Sequence, residues 1–120
     1  MTANRLYDYL ETMQQAAFRA CRFVEGMDRD EFFDDERTQQ AVAMSLLVIG
    51  ESAARISEQY CDFVTEHPQI PWNSMRGMRN RIAHAYFTID WQFVWDTVYK
   101  ELPSLINAIT PILLPNVDDG

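Results

Sequence analysis

Lysine is almost missing: Lys100 is the only one in 120 residues, so positive charge is carried nearly entirely by arginine. Ten Lys and Arg stand against 18 Asp and Glu, for a net charge of -8. That balance, with an isoelectric point near 4.5, excludes a broad, sequence-independent grip on nucleic acid, which needs many cations on phosphates. A focused site is still allowed. Cysteine is scarce too. Cys21 and Cys61 stand alone, with no CxxC pair and no histidines at zinc spacing, which excludes a zinc finger. They are expected to be buried thiols of a cytoplasmic protein. No apolar run reaches the roughly 18 to 20 residues of a membrane span. Residues 1–8 lack a basic region followed by an apolar block, so no secretion signal is expected. Alternating strand patterns, repeats and low-complexity stretches are absent as well.

What remains is helical periodicity. Hydrophobic residues make up 48 % and charged residues 23 %, the balance of an ordinary globular domain. Residues 1–115 are expected to form one helical domain and 116–120 a frayed acidic tail. Leu6, Tyr9, Leu10, Met13, Ala17, Ala20, Phe23, Val24 and Met27 recur at three- and four-residue steps, predicting a first helix capped by Asn4 or Thr2. Gly26 and the charged 28–31 segment end it, and Phe32 and Phe33 begin a link. A second helix, capped by Asp34, Asp35 or Thr38, runs to about Ile56 and is apolar around most of its circumference. Such a helix is expected to be buried on more than one side, with one side for its own bundle and another able to take a second copy. Its small residues, Gly50 among them, permit close helix approach. Glu51 in that run either has an arginine beside it or lies on the solvent edge, because a buried lone carboxylate is costly.

Residues 60–72 read as a connector, with His67 a solvated loop residue. Pro71 then opens a third helix whose inward stripe is Met75, Met78 and Ile82. Asp90 caps a fourth, with Trp91, Val94, Trp95, Val98, Leu102, Leu105, Ile106 and Ile109 inward and a kink or break at Pro103. Pro111 and Pro115 belong to a frayed end. The fold expected is all-α, a four- to five-helix up-and-down bundle.

From His67 through Ile89 there is no Asp or Glu. Within it, residues 76–86 hold Arg76, Arg79, Arg81, His84 and Tyr86, a local cationic segment on an acidic chain and the place to look for polyanion contact. Arginine offers a permanently charged fork for phosphate oxygens, and imidazole exchanges a proton near neutral pH. Arg79 and His84 are five apart, roughly 140° around a helix, so they are not a side-by-side pair. Asn80 and His84 do share a face. A one-chain site needs the helix to bend or end near His84. Otherwise the pocket is a cleft between two copies, which the small, apolar second helix favours.

Arg79, four residues, His84, one residue, Tyr86 resembles the signature of the HEPN superfamily, specifically its HepT-like ribonuclease toxins, and Asn80 matches the polar residue after their arginine. The resemblance extends over Ile49-Gly50-Glu51, Ile70-Pro71-Trp72, Gly77-Met78-Arg79-Asn80, His84-Ala85-Tyr86-Phe87 and the helix from Asp90 to Pro103. It implies a homodimer with the arginine and histidine motifs of two chains around one cleft. It also implies a metal-independent endoribonuclease, without cofactor, that inhibits growth. Such a toxin is encoded with a minimal nucleotidyltransferase antitoxin, as in HepT/MntA-type systems, which transfers AMP from ATP to the motif tyrosine, here Tyr86. Added phosphates would repel RNA.

The residue chemistry fits. Arg79 would grip the scissile phosphate. His84 would be general acid or base for attack by the 2′-hydroxyl. Asn80 would position the phosphate or orient His84, while Arg76 and Arg81 steer the strand. Plainer readings stand beside these. His84 could satisfy carbonyls at a helix end, Arg79 could pair with Glu51 in the core, and Tyr86 could be an amphipathic core residue. The competing function is a non-catalytic module of the same fold that binds a nucleotide or the nucleotidyltransferase. A purely structural helical dimer is the third.

Overall fold

The computed structural model describes residues 5–85 and 87–114. The chain forms helices α1 (Arg5–Phe23), α2 (Arg29–Phe33), α3 (Glu36–Gln59), α4 (Cys61–Glu66), α5 (Trp72–His84) and α6 (Trp91–Asp96). A π-helical stretch, Thr97–Glu101, then leads into α7 (Leu102–Leu113). The architecture is all-α, with no strand among the described residues. Among them, too, no helix is long and apolar enough to cross a membrane.

Helix α3 is the axis of the bundle. Its apolar circumference is explained mostly inside the chain, because α1 packs on one side and α5 on the other. Val42, Leu46, Ile49, Ala53 and Ile56 are buried there with Leu10, Met13, Ala17 and Ala20 of α1 and Met75, Met78 and Ile82 of α5. Helix α7 closes the bundle against α1 through Leu102, Leu105 and Ile109. Asp35 is the cap of α3, accepting from the Thr38 amide at 3.1 Å, and that bond holds its carboxyl below the ordinary carboxylate range. Asp90 caps α6 by accepting from the Gln92 and Phe93 amides. Gly26, at φ +80, ends α1 in the left-handed region where a side chain would be strained.

Several readings are corrected. Phe32 and Phe33 belong to helix α2 rather than to a link. Asp28 and Glu31 form a reciprocal capping box on it, at 2.8 Å in each direction. Residues 61–66 of the connector form α4, and His67 is a packed corner rather than a solvated loop. Its ring stacks on Phe63 at 4.0 Å, and its carbonyl accepts from the Trp72 indole at 3.0 Å. The cysteines are free, but Cys61 is exposed because α4 buries no residue; Cys21 is half-buried. Pro111 lies inside α7 rather than in a frayed end. The break expected at Pro103 takes the form of the π-helical stretch just before it. There the Leu102 amide reaches back five residues to the Thr97 carbonyl. The Thr2 and Asn4 caps and the 116–120 tail lie outside the described residues.

The closest approach of α3 and α5 is at Gly50. A Cβ there would collide with Arg79 Cβ and lie 2.7 Å from the Met75 carbonyl oxygen. Neither atom can swing aside, since both belong to or adjoin the α5 backbone. Gly50→Ala is therefore expected to destabilise the fold by about 1–3 kcal/mol, the usual cost of overpacking. Thermal melting should register it as a drop of several degrees; an unchanged melt would mean the helices do not touch there.

Candidate ribonuclease site

The close packing at Gly50 sets Arg79 beside the next residue of α3. Arg79 Nη1 donates to Glu51 Oε1 at 2.7 Å, and its Nε and Nη2 donate to Asn80 Oδ1 at 3.1 and 2.9 Å. The guanidinium is thus fixed by a carboxylate on one helix and an amide on its own. Arg79 is the least exposed member, at 28 % of its side chain, against 48 % for Glu51. Both expectations for Glu51 hold together: it has an arginine partner and it lies on the solvent edge. Arg79 correspondingly pairs with Glu51 at the surface, not in the core. A second arginine, Arg55, donates from Nε to the other carboxylate oxygen at 2.9 Å. Hydrogen bonds from Arg79 first, then from Arg55, hold the Glu51 carboxyl below the ordinary carboxylate range.

This cluster borders a groove of about 400 Å³ between α3 and α5, lined by Leu47, Val48, Glu51, Ser52, Arg79 and Ala83. His84 follows Ala83 as the last residue of α5; it is exposed and makes no hydrogen bond among the described residues. The helix ends there, with Ala85 as its cap at φ -127, so the condition for a one-chain site is met.

Other motif residues go elsewhere. Arg76 is exposed and contacts Asn73 Oδ1 at 3.4 Å. Arg81 is two residues from Arg79, roughly 200° around the helix, and faces α6. There it bonds Asp90 Oδ2 at 3.3 Å and lies over the Phe93 ring, 3.8 Å from its centroid. Tyr86 lies outside the described residues. Among those described, no group of three or more His, Cys, Asp or Glu side chains is placed to hold a metal ion. Sequence reasoning passed over Arg55. Its signal was the four-residue step from Glu51 on one helix, the spacing of an ion pair.

The sequence profile of the HepT-like ribonucleases matches residues 13–112. The chain belongs to this family. A protein of Methanocaldococcus jannaschii named a "Putative RNase" is 39 % identical over 108 residues, 90 % of this chain and 84 % of that one. A "Probable ribonuclease HepT" of Thermococcus cleftensis is 39 % identical over 98 residues, covering 82 % of this chain and 86 % of its own. A "Putative RNase" of Caldanaerobacter subterraneus is 30 % identical over 105 residues, 88 % and 91 % of the two chains. No solved structure matches significantly. The all-α bundle described above is the fold expected of a HepT-like HEPN protein.

Proposed function

We propose that this HepT-like chain is a metal-independent endoribonuclease that cuts RNA by transesterification. The observation that carries the reading is the guanidinium of Arg79, oriented by Glu51 and Asn80 on a groove rim, with an exposed imidazole at the end of the same helix. A guanidinium fixed before substrate arrives can stabilise charge building on a phosphate without reorganising. In the reaction, the ribose 2′-oxygen bonds to the adjacent phosphorus and the P–O5′ bond breaks. The 2′-hydroxyl gives up its proton and the departing 5′-oxygen gains one, leaving a 2′,3′-cyclic phosphate and a 5′-hydroxyl. His84 carries one of these transfers. Asn80, through its bond to Arg79, sets the angle of the fork.

Two copies of the chain pair through α3 in this reading. Support comes from Met44, 62 % exposed on α3, and from half-buried Leu47 and Val48 at the groove. The enzyme acts as a growth-inhibiting toxin, restrained by a minimal nucleotidyltransferase antitoxin that adds AMP to Tyr86. Support for that pairing is the motif alone. The acidic surface and the neutralisation of Arg79 by Glu51 favour the second reading, a non-catalytic module that binds a nucleotide or the nucleotidyltransferase.

Incubating purified protein with total RNA and tRNA in EDTA separates them. Cleavage that leaves cyclic-phosphate ends is expected. Cleavage that disappears in EDTA and returns with magnesium would sink the transesterification mechanism. No cleavage under any condition, with Tyr86 shown unmodified by mass spectrometry, would leave the binding module.

A further inference from the structure

The cationic side chains around Glu51 continue past Arg79. One carboxylate is shared by two guanidiniums, Arg79 and Arg55, on the groove rim. Arg55 commits only Nε to Glu51; its terminal nitrogens donate to nothing among the described residues, and its side chain is 51 % exposed. Beyond it lies α1, where Arg5 Nη1 approaches the Tyr9 hydroxyl at 3.4 Å. The Tyr9 phenol is held below its ordinary pKa by that hydrogen bond first, then by Gln59 at the end of α3, with the charges of Arg5 and Arg55 adding to it. Arg79, Arg55, Tyr9 and Arg5 therefore form a row across α5, α3 and α1. The acids along it include Glu51, already paired, Glu58, within electrostatic reach of Arg55, and Asp8 in the first turn of α1.

We infer that this row is the path of the RNA strand away from the reacting bond. The inference rests on the ribonuclease reading above. Arg55 holds the phosphate next to the scissile one, and Arg5 takes the one after it, with the Tyr9 ring offering a face to a base. Guanidinium forks with free donors suit phosphate oxygens, and an aromatic ring beside them is the usual companion of single-stranded binding. An isolated surface pair on a helix accounts less well for the arrangement: two guanidiniums bond the one Glu51 carboxylate, and Arg5 extends the row onto α1.

The test measures affinity for a fluorescent single-stranded oligoribonucleotide over a range of salt, in a His84→Ala background so that the probe survives. Arg55→Gln and Arg5→Gln are compared with Arg37→Gln, which makes the same charge change in the first turn of α3. Arg37 precedes Arg55 by 18 positions, roughly 27 Å along the helix. Arg55→Gln is expected to weaken binding about tenfold. It should also lower the slope of log Kd against log salt by about 0.7, the share of one phosphate contact on a single strand. Arg37→Gln should change neither, and Arg55→Lys should restore most of the slope. Equal behaviour of Arg55→Gln and Arg37→Gln would overturn the path while leaving the ribonuclease intact. If wild type neither binds nor cleaves RNA, the ribonuclease reading falls and the path falls with it.

Discussion

His84→Ala is expected to cut RNA cleavage by about 10²–10⁴-fold, the usual contribution of a positioned general acid or base, with thermal melting unchanged. The two halves of that expectation have one origin. His84 is exposed at the end of α5 and bonds to no described group, so removing its ring opens no cavity and strands no polar atom. A fall in rate would then report chemistry, not folding. Single-turnover cleavage of tRNA at matched melting temperature is the measurement, and a loss under threefold would remove His84 from the mechanism. The pH profile adds a check with a definite sign. Because the folded Glu51 carboxyl is held below the ordinary carboxylate range, its ion pairs are complete above that range and are lost only as pH falls through the lowered value. The grip on Arg79 is therefore constant across neutral pH, and a change of rate there does not come from Glu51.

Arg79→Ala is the second large effect, expected at about 10²–10³-fold in kcat, the range for losing one preorganised electrostatic donor. The fold should tolerate it. Glu51 is 48 % exposed and keeps Arg55, and surface pairs of this kind contribute little to stability. Arg79→Lys is the sharper variant. An ammonium keeps the charge but cannot reach Glu51 and Asn80 in one plane while presenting further donors to a phosphate. It should recover part of the binding, read in KM, and little of kcat. Full activity in Arg79→Lys would show that only charge is needed there, and full activity in Arg79→Ala would end the assignment.

The helices were legible wherever one face carried a long apolar stripe. Met75, Met78 and Ile82 are all buried, as are Val94, Val98, Leu102, Leu105 and Ile109. Short elements were not. In α2 and α4 there is too little length for periodicity to register, although Asp28 and Glu31 had the three-residue spacing of a capping box. The second helix was read correctly as buried on more than one side, yet periodicity cannot say whether a neighbour belongs to the same chain. Here α1 and α5 supply most of the cover. At the groove, the motif named Arg79 and His84 as candidates, and the glycine before Glu51 hinted at close approach. Which charges meet depends on how two helices are rotated against each other, and that is tertiary information. It explains why Arg55 went unnoticed and why Arg81, adjacent in the motif, turns to Asp90 and Phe93 instead.

The contact at Gly50 also bears on when the molecule becomes competent. Arg79 and Glu51 are 28 residues apart in the chain, and only the docking of α5 onto α3 at the glycine brings them together. A ribosome that has just released the segment 76–84 has made the arginine and the histidine but not the oriented fork. Activity should therefore arrive with the last stage of helix packing, not with synthesis of the motif. A truncated or half-folded chain would be harmless to the RNA around it. In the ribonuclease reading, the same glycine that lets two helices touch would also delay the cut until the fold is complete.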